Sequence, residues 1–144
     1  MPGSLESAAN SRLRSLPAKR SIRVVVADDD RDTVLTLAFL LGDEGYEVRR
    51  AYDGREAIEA VQAFEPDAVV LDLGMPEPNG WEVARTIRAM PGGARPLLIA
   101  ISGQYVKAAD QALTQDAGFD HFCAKPCDPN RVLEWLSKLS ADPE

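Results

Sequence analysis

The sequence predicts an α/β protein built on a doubly wound, five-stranded parallel sheet with five helices, and three observations carry that expectation. Runs such as Ile22-Arg23-Val24-Val25-Val26-Ala27 and Ala68-Val69-Val70-Leu71 have the length and β-branched character of strands buried on both faces. Between such runs, apolar residues recur with the spacing of one helix face. The two patterns alternate along the chain, and that alternation implies a parallel sheet covered by helices on both sides.

The elements follow in order. Residues 1–20 are rich in Ser, Ala, Arg and Pro without a sustained apolar period. They are expected to be a disordered tail or an expression-derived segment. The domain is placed at 21–140, with 141–144 as a short tail. After the first strand, Val34, Leu37, Ala38 and Leu41 fall on one helix face, which Gly42 and Gly45 close. Tyr46-Glu47-Val48 begins the second strand. Ala57, Ile58, Val61 and Phe64 mark the second helix, with Pro66 beyond its end. Ala68 to Leu71 is the third strand. Gly80 to Met90 presents Val83, Ala84 and Ile87 on one face before Pro91-Gly92-Gly93 breaks the helix. Leu97 to Ile101 is the fourth strand, and Lys107 to Ala117 a weakly amphipathic helix stopped by Gly118. His121 to Ala124 is a short fifth strand, and Val132, Leu133, Leu136 and Leu139 line a closing helix.

Composition narrows the function. A chain of 144 residues fits one domain with a real core. The net charge of −7 argues against broad nucleic-acid binding, which needs basic patches. Arg12, Arg14, Lys19 and Arg20 form a local basic stretch, read as a solvated tail. No apolar run approaches the roughly 18–20 residues of a membrane span, and the first residues do not resemble a secretory signal. A cytoplasmic protein without a membrane partner is therefore expected. Cys123 and Cys127 flank Lys125-Pro126, and two reduced thiols are expected there rather than a disulfide or a metal site.

In open parallel sheets, ligands gather beyond the carboxyl ends of the strands. Asp28-Asp29-Asp30 follow the first strand, Asp72 the third, Ser102-Gly103 the fourth and Lys125-Pro126 the fifth. Carboxylates, a hydroxyl and an amine thus converge on one rim. Clustered carboxylates repel one another unless a cation neutralises them, and Mg²⁺ suits oxygen ligands while leaving places free for a phosphate. Each residue alone has a plainer reading. Asp30 or Asp32 is better read as a helix N-cap, Asp72 fits an Asx-turn, Ser102 a turn, and Lys125 a solvated charge. Jointly these weaken, because four strand ends must each carry the right group by chance.

From about Arg23 to Leu139 the sequence resembles the receiver domains of two-component response regulators. The resemblance rests on Val26-Ala27-Asp28-Asp29-Asp30, on Val69-Val70-Leu71-Asp72-Leu73-Gly74-Met75-Pro76 with Gly80, on Ile101-Ser102-Gly103 and on Phe122-Cys123-Ala124-Lys125-Pro126. It implies the flavodoxin-like strand order 2-1-3-4-5 and a phosphoaccepting switch that is not a turnover enzyme. Asp72 would be the modified nucleophile, taking a phosphoryl group from a sensor histidine kinase or phosphotransfer protein. Asp29, Asp72 and the Gly74 carbonyl would ligate Mg²⁺, and Asp28 would hold a metal-bound water. Lys125 and Ser102 would complete the catalytic set, with Ser102 and Phe122 acting as a switch pair. The resemblance also implies a cis Lys125-Pro126 bond. It further implies read-out through the fourth helix, fifth strand and last helix to a downstream protein or a second copy, with phosphodonors the only small-molecule substrates. Trp135 is placed at the border of the last helix's buried stripe. No further domain follows Glu144 in this sequence, so direct transcription control is not expected of it.

The sequence departs from the family's commoner pattern at Ala27, at Ser102 in place of Thr, at Phe122 in place of Tyr, and at Gly74, which offers no side chain near the acceptor. Two other classes also use parts of this pattern. Asp30-Arg31-Asp32-Thr33-Val34 fits the D-x-D-x-[TV] signature of haloacid-dehalogenase-like phosphatases, but it leaves Asp72, Ser102 and Lys125 partly unexplained. A flavin binder shares the strand order, yet the acidic first loop would repel its phosphate.

Overall fold

Strands β1 (Arg23–Ala27), β2 (Glu47–Ala51), β3 (Ala68–Asp72), β4 (Leu97–Ser102) and β5 (His121–Ala124) form one parallel sheet in the order β2-β1-β3-β4-β5. They alternate with helices α1 (Arg31–Asp43), α2 (Gly54–Phe64), α3 (Gly80–Ala89), α4 (Ala108–Asp116) and α5 (Pro129–Ser140). The structure is a computed structural model and describes residues 21–103 and 108–140. The expected tails at 1–20 and 141–144, and Lys107 at the start of the fourth helix, lie outside the described residues.

Burial follows strand position. Every residue of the central strand β3 is buried, whereas the edge strand β2 exposes Glu47, Arg49 and Arg50. A strand covered on both faces needs apolar side chains throughout, while an edge strand can leave polar groups in water. One face of the sheet (Val25, Ala27, Val69, Leu71, Leu98 and Ala100) packs on α2 and α3 through Ala57, Val61, Val83, Ala84 and Ile87. The other face (Val24, Val26, Val70, Ile99 and Ile101) packs on α1 and α5 through Val34, Leu37, Leu41, Val132 and Leu136.

The element boundaries differ from expectation in ways that have local causes. Gly42 lies inside α1, and Gly45, at φ +99°, makes the left-handed turn that ends it. Strand β2 starts one residue after Tyr46 and runs to Ala51 because it pairs with β1 along its whole length, Arg23 opposite Glu47 through Ala27 opposite Ala51. Asp30 holds the N-cap position of α1, but its carboxylate accepts from the Thr33 hydroxyl at 2.6 Å rather than from a backbone N–H.

Helix α3 places the loop that follows β3. Asn79 and Glu82 form a reciprocal capping box, with Asn79 Oδ1 accepting from the Glu82 N–H at 3.0 Å and Glu82 Oε1 accepting from the Asn79 N–H at 2.8 Å. The next residue, Gly80, sits against the backbone of β3: a Cβ there would lie 2.6 Å from the Asp72 carbonyl oxygen and 2.7 Å from Leu73 Cα. Backbone on both sides cannot give way. Gly80→Ala is therefore expected to destabilise the protein by about 1–3 kcal/mol or more, read from the urea midpoint, while Gly42→Ala, with open space around its Cβ, should be neutral or stabilising. Equal midpoints for Gly80→Ala and the parent would show that the loop after β3 is not held by this contact.

Candidate functional site

The ends of β1 and β3 meet because these strands are neighbours, with Ala27 opposite Leu71. Asp28 and Asp29, which continue β1, thus meet Asp72, the last residue of β3, with one carboxylate oxygen from each lying within 4.8 Å of the others. Asp28 is fully buried and Asp72 is 6% exposed, while Asp29 faces solvent. Asp30, the nucleophile of the phosphatase alternative, is exposed at the helix N-cap and is not part of this cluster.

Each buried carboxylate has donors aimed at it. Asp28 Oδ1 accepts from the Asp30 N–H at 3.0 Å, and Asp28 Oδ2 accepts from Lys125 Nζ at 2.8 Å. Asp72 Oδ1 accepts from the Gly74 N–H at 3.3 Å and lies 3.6 Å from Lys125 Nζ. The ammonium thus bonds Asp28 and only neighbours Asp72. Burial, and then the negative charge of Asp28, push the Asp72 carboxyl up from 3.8 to about 6, against the pull of Lys125 and Gly74. Burial alone would lower the Lys125 pKa, but the hydrogen bond to Asp28 and the charges of both carboxylates outweigh it and hold the group above its ordinary value.

Ser102 ends β4 and is buried. Its carbonyl accepts from the Lys125 N–H at 2.8 Å, so it anchors the turn that carries the lysine. In the β4–β5 ladder Phe122 pairs with Ala100 and Ala124 with Ser102. Phe122 and Ser102 therefore belong to the same face, as diagonal neighbours, and Phe122 packs half-buried against the core on the α2–α3 side. Trp135 takes the expected border position: it is half-buried on the other core, and His121 stacks on it at 4.4 Å with the rings 6° from parallel.

Two features went unread in the sequence although a signal was present. Asn79-x-x-Glu82 and Asp53-x-x-Glu56 both carry capping-box spacing. Asp53 accepts from the Glu56 N–H at 2.8 Å, and Glu56 accepts from the Tyr52 N–H at 2.7 Å. A third has no local signal: Trp81 Nε1 donates to Thr114 Oγ1 at 3.0 Å and ties α3 to α4.

One expectation is corrected. Cys123 and Cys127 are joined in a disulfide rather than standing as two thiols. The turn between β5 and α5 folds back on itself and brings the two Cα atoms to 5.7 Å, within the range a disulfide spans. The Lys125-Pro126 bond is cis, as the resemblance implied, and so is Glu77-Pro78, which was not anticipated.

The fold and the site together define a doubly wound α/β protein with a cluster of carboxylates and a lysine at its strand ends. Residues 24–137 match the family described as the response regulator receiver domain, and the chain belongs to that family. It is 39% identical over 118 residues to the response regulator MprA of Mycolicibacterium vanbaalenii, covering 82% of this chain and 50% of that protein. The chain therefore spans about half the length of this relative. It is 34% identical over 119 residues to the chemotaxis protein CheY of Thermotoga maritima, covering 82% of this chain and 97% of that protein. The fold superposes on a CheY-like receiver domain protein from Methanospirillum hungatei with a TM-score of 0.77 at 22% identity, covering 86% of this chain and 97% of that one. No helix among the described residues is long and apolar enough to cross a membrane.

The raised Asp72 carboxyl makes metal-free stability depend on pH. The folded state holds this proton more tightly than the unfolded chain, so the contribution is fully present below about pH 4 and is lost as pH rises through about 6. Asp72→Asn is expected to flatten that part of the profile and to raise stability in chelator at pH 7.5 by about 1–3 kcal/mol. Urea unfolding across pH 4–8 measures it, and a variant with the parent's slope would show that Asp72 is not the group responsible.

Proposed function

We propose that this domain is the phosphoaccepting switch of a two-component phosphorelay, with Asp72 as the residue modified. The observation that carries the reading is the placement of Asp72, nearly buried at the end of the central strand, beside two further carboxylates and 3.6 Å from the Lys125 ammonium. A carboxylate oxygen of Asp72 attacks the phosphorus of a phosphohistidine on a sensor kinase or phosphotransfer protein. The N–P bond breaks as the O–P bond forms, leaving an acyl phosphate on Asp72, and the donor imidazole, already protonated on its other ring nitrogen, departs as neutral histidine. The domain is a stoichiometric acceptor rather than a turnover enzyme.

Hard oxygen donors, one fully buried, one nearly so and one exposed, fit Mg²⁺ as the cofactor. Asp29 and Asp72, with the Gly74 carbonyl, would hold it. Asp28, whose two oxygens are engaged by Lys125 and the Asp30 N–H, would act through a water. When bound, Mg²⁺ supplies positive charge and coordination places for phosphoryl oxygens. Lys125, 3.6 Å from Asp72 Oδ1, would neutralise phosphoryl oxygens as well, and the Ser102 hydroxyl would donate to one of them. Because Phe122 shares a sheet face with Ser102, movement of Ser102 toward the phosphate opens space that the ring can follow. The new group carries about −1.5 to −2 charges at pH 7. It biases the surface of α4, β5 and α5 toward a form that binds a downstream protein or a second copy.

Asp72→Asn should abolish acid-labile, hydroxylamine-sensitive labelling by acetyl phosphate while leaving the fold intact by circular dichroism. Normal labelling of that variant would remove Asp72 from its role. Asp29→Ala should weaken Mg²⁺ binding by about tenfold or more and slow labelling in parallel. A titration followed by Trp81 fluorescence reads this, since that ring opens α3 directly after the acceptor loop; unchanged affinity would refute the ligand role of Asp29.

A further inference from the structure

We propose that Cys123 and Cys127 form a reversible thiol–disulfide exchange site that sets how firmly Lys125 is held at the acidic cluster. Their bridge closes a short ring, Cys123-Ala124-Lys125-Pro126-Cys127, with the lysine at its middle. Lys125 has its backbone N–H on the Ser102 carbonyl at 2.8 Å and its ammonium on Asp28 at 2.8 Å. The ring therefore encloses the residue that links the end of β4 to the carboxylates. For the role of Lys125 toward an incoming phosphoryl group, this inference rests on the reading of Asp72 as acceptor.

The two sulfurs are not equivalent. Cys123 is 5% exposed in β5, paired with Ile101 and packed in the core beneath α1 and α5. Cys127 is half-buried at the entry to α5 and lines a cavity of about 570 Å³ together with Asp32, Thr36, Lys125 and Val132. An external thiolate reaches Cys127 through this cavity. Its sulfur bonds to Cys127 Sγ, the Cys123–Cys127 bond breaks, and Cys123 leaves as a thiolate. A second thiol then attacks the mixed disulfide and releases Cys127. The protein gains two electrons and two protons, and two external thiols become one disulfide. Re-formation of the bridge runs the same steps backward with a low-molecular-weight disulfide as oxidant.

The ring's size points to a local effect rather than a global staple. A loop this short restricts the unfolded chain less than a long one, so more of what the bridge does is felt within the turn itself. It restricts the turn between β5 and α5. In a reducing compartment such a bridge is transient, and opening it frees the turn that positions the ammonium.

The test equilibrates the full chain with mixtures of reduced and oxidised glutathione, quenches in acid and traps free thiols with a maleimide for mass spectrometry. The doubly modified form should give way to the unmodified form as the oxidised fraction rises, with the fold retained. Amide exchange across 121–131 should be slower in the disulfide form, and acetyl phosphate should label that form about threefold faster or more. Cys127→Ser, and Cys127→Ala should the first variant fold poorly, should match the reduced protein under every condition. Thiols that stay free at every ratio, a bridge released only on unfolding, equal exchange in the two forms, or equal or slower labelling of the disulfide form would each overturn the proposal. Absence of labelling in both forms would remove the acceptor role of Asp72, and thiol trapping with amide exchange would still decide the state and effect of the bridge.

Discussion

Two carboxylates, Asp28 and Asp72, stand side by side at the ends of adjacent central strands, the first fully buried and the second nearly so. Taking such groups out of water is costly unless charge and hydrogen bonds compensate. The surrounding backbone is shaped by that requirement. The chain turns after β1 so that the Asp30 N–H meets Asp28, and turns after β3 so that the Gly74 N–H meets Asp72. Lys125 crosses from a turn 97 residues further along the chain to bond Asp28. Protein donors leave Asp72 with its proton affinity still raised, so the site retains an unmet demand for positive charge. That residual demand is one a cation can meet.

The sheet divides the site's work between its two faces. By alternation along their strands, Asp28, Asp72 and Lys125 share the side of Val26, Val70 and Cys123, which packs on α1 and α5. Ser102 and Phe122 share the side of Ala100, which faces α2 and α3. The hydrogen bond from the Lys125 N–H to the Ser102 carbonyl joins the two sets across the ladder. The charged groups thus lie on one side of the sheet, and the Ser102 hydroxyl and the Phe122 ring on the other. Helix α4 spans only Ala108–Asp116, exposes Leu113 and buries Thr114, where Trp81 holds it. Among the described side chains of this helix, from Ala112 to Asp116, only Thr114 is buried.

Much of this was legible in the sequence because the signals are local. Runs such as Ala68-Val69-Val70-Leu71 can be little other than a strand buried on both faces, and the helical spacing of Val132, Leu136 and Leu139 marks a packed stripe. The candidate groups sit at the last residue of a strand or just past it, so locating the strands located the rim. The helix starts were less legible: Asn79 and Glu82 satisfy each other's backbone donors within four residues, by a short polar spacing that marks a cap only where a helix follows.

Taken by itself, then, the sequence determined the alternation of elements, the buried faces and the identity of the groups at the strand ends. Each of these follows from spacing along one stretch of chain. The tertiary structure alone decided which distant groups meet. Arg88 donates to the carbonyls of Gly93, Pro96 and Gly118 and to the Asp120 carboxylate, binding the end of α3 to the loop before β4 and the loop before β5. Nothing in the local sequence distinguishes that arginine from a solvated one. The pairing of Cys123 with Cys127 likewise depends on how one turn folds back, and the choice of Asp28 over Asp72 as the lysine's hydrogen-bond partner depends on fractions of an ångström. Hydrogen bonds and charge pairs act over a few ångströms in space and do not depend on distance along the chain, so only the packed fold could assign them.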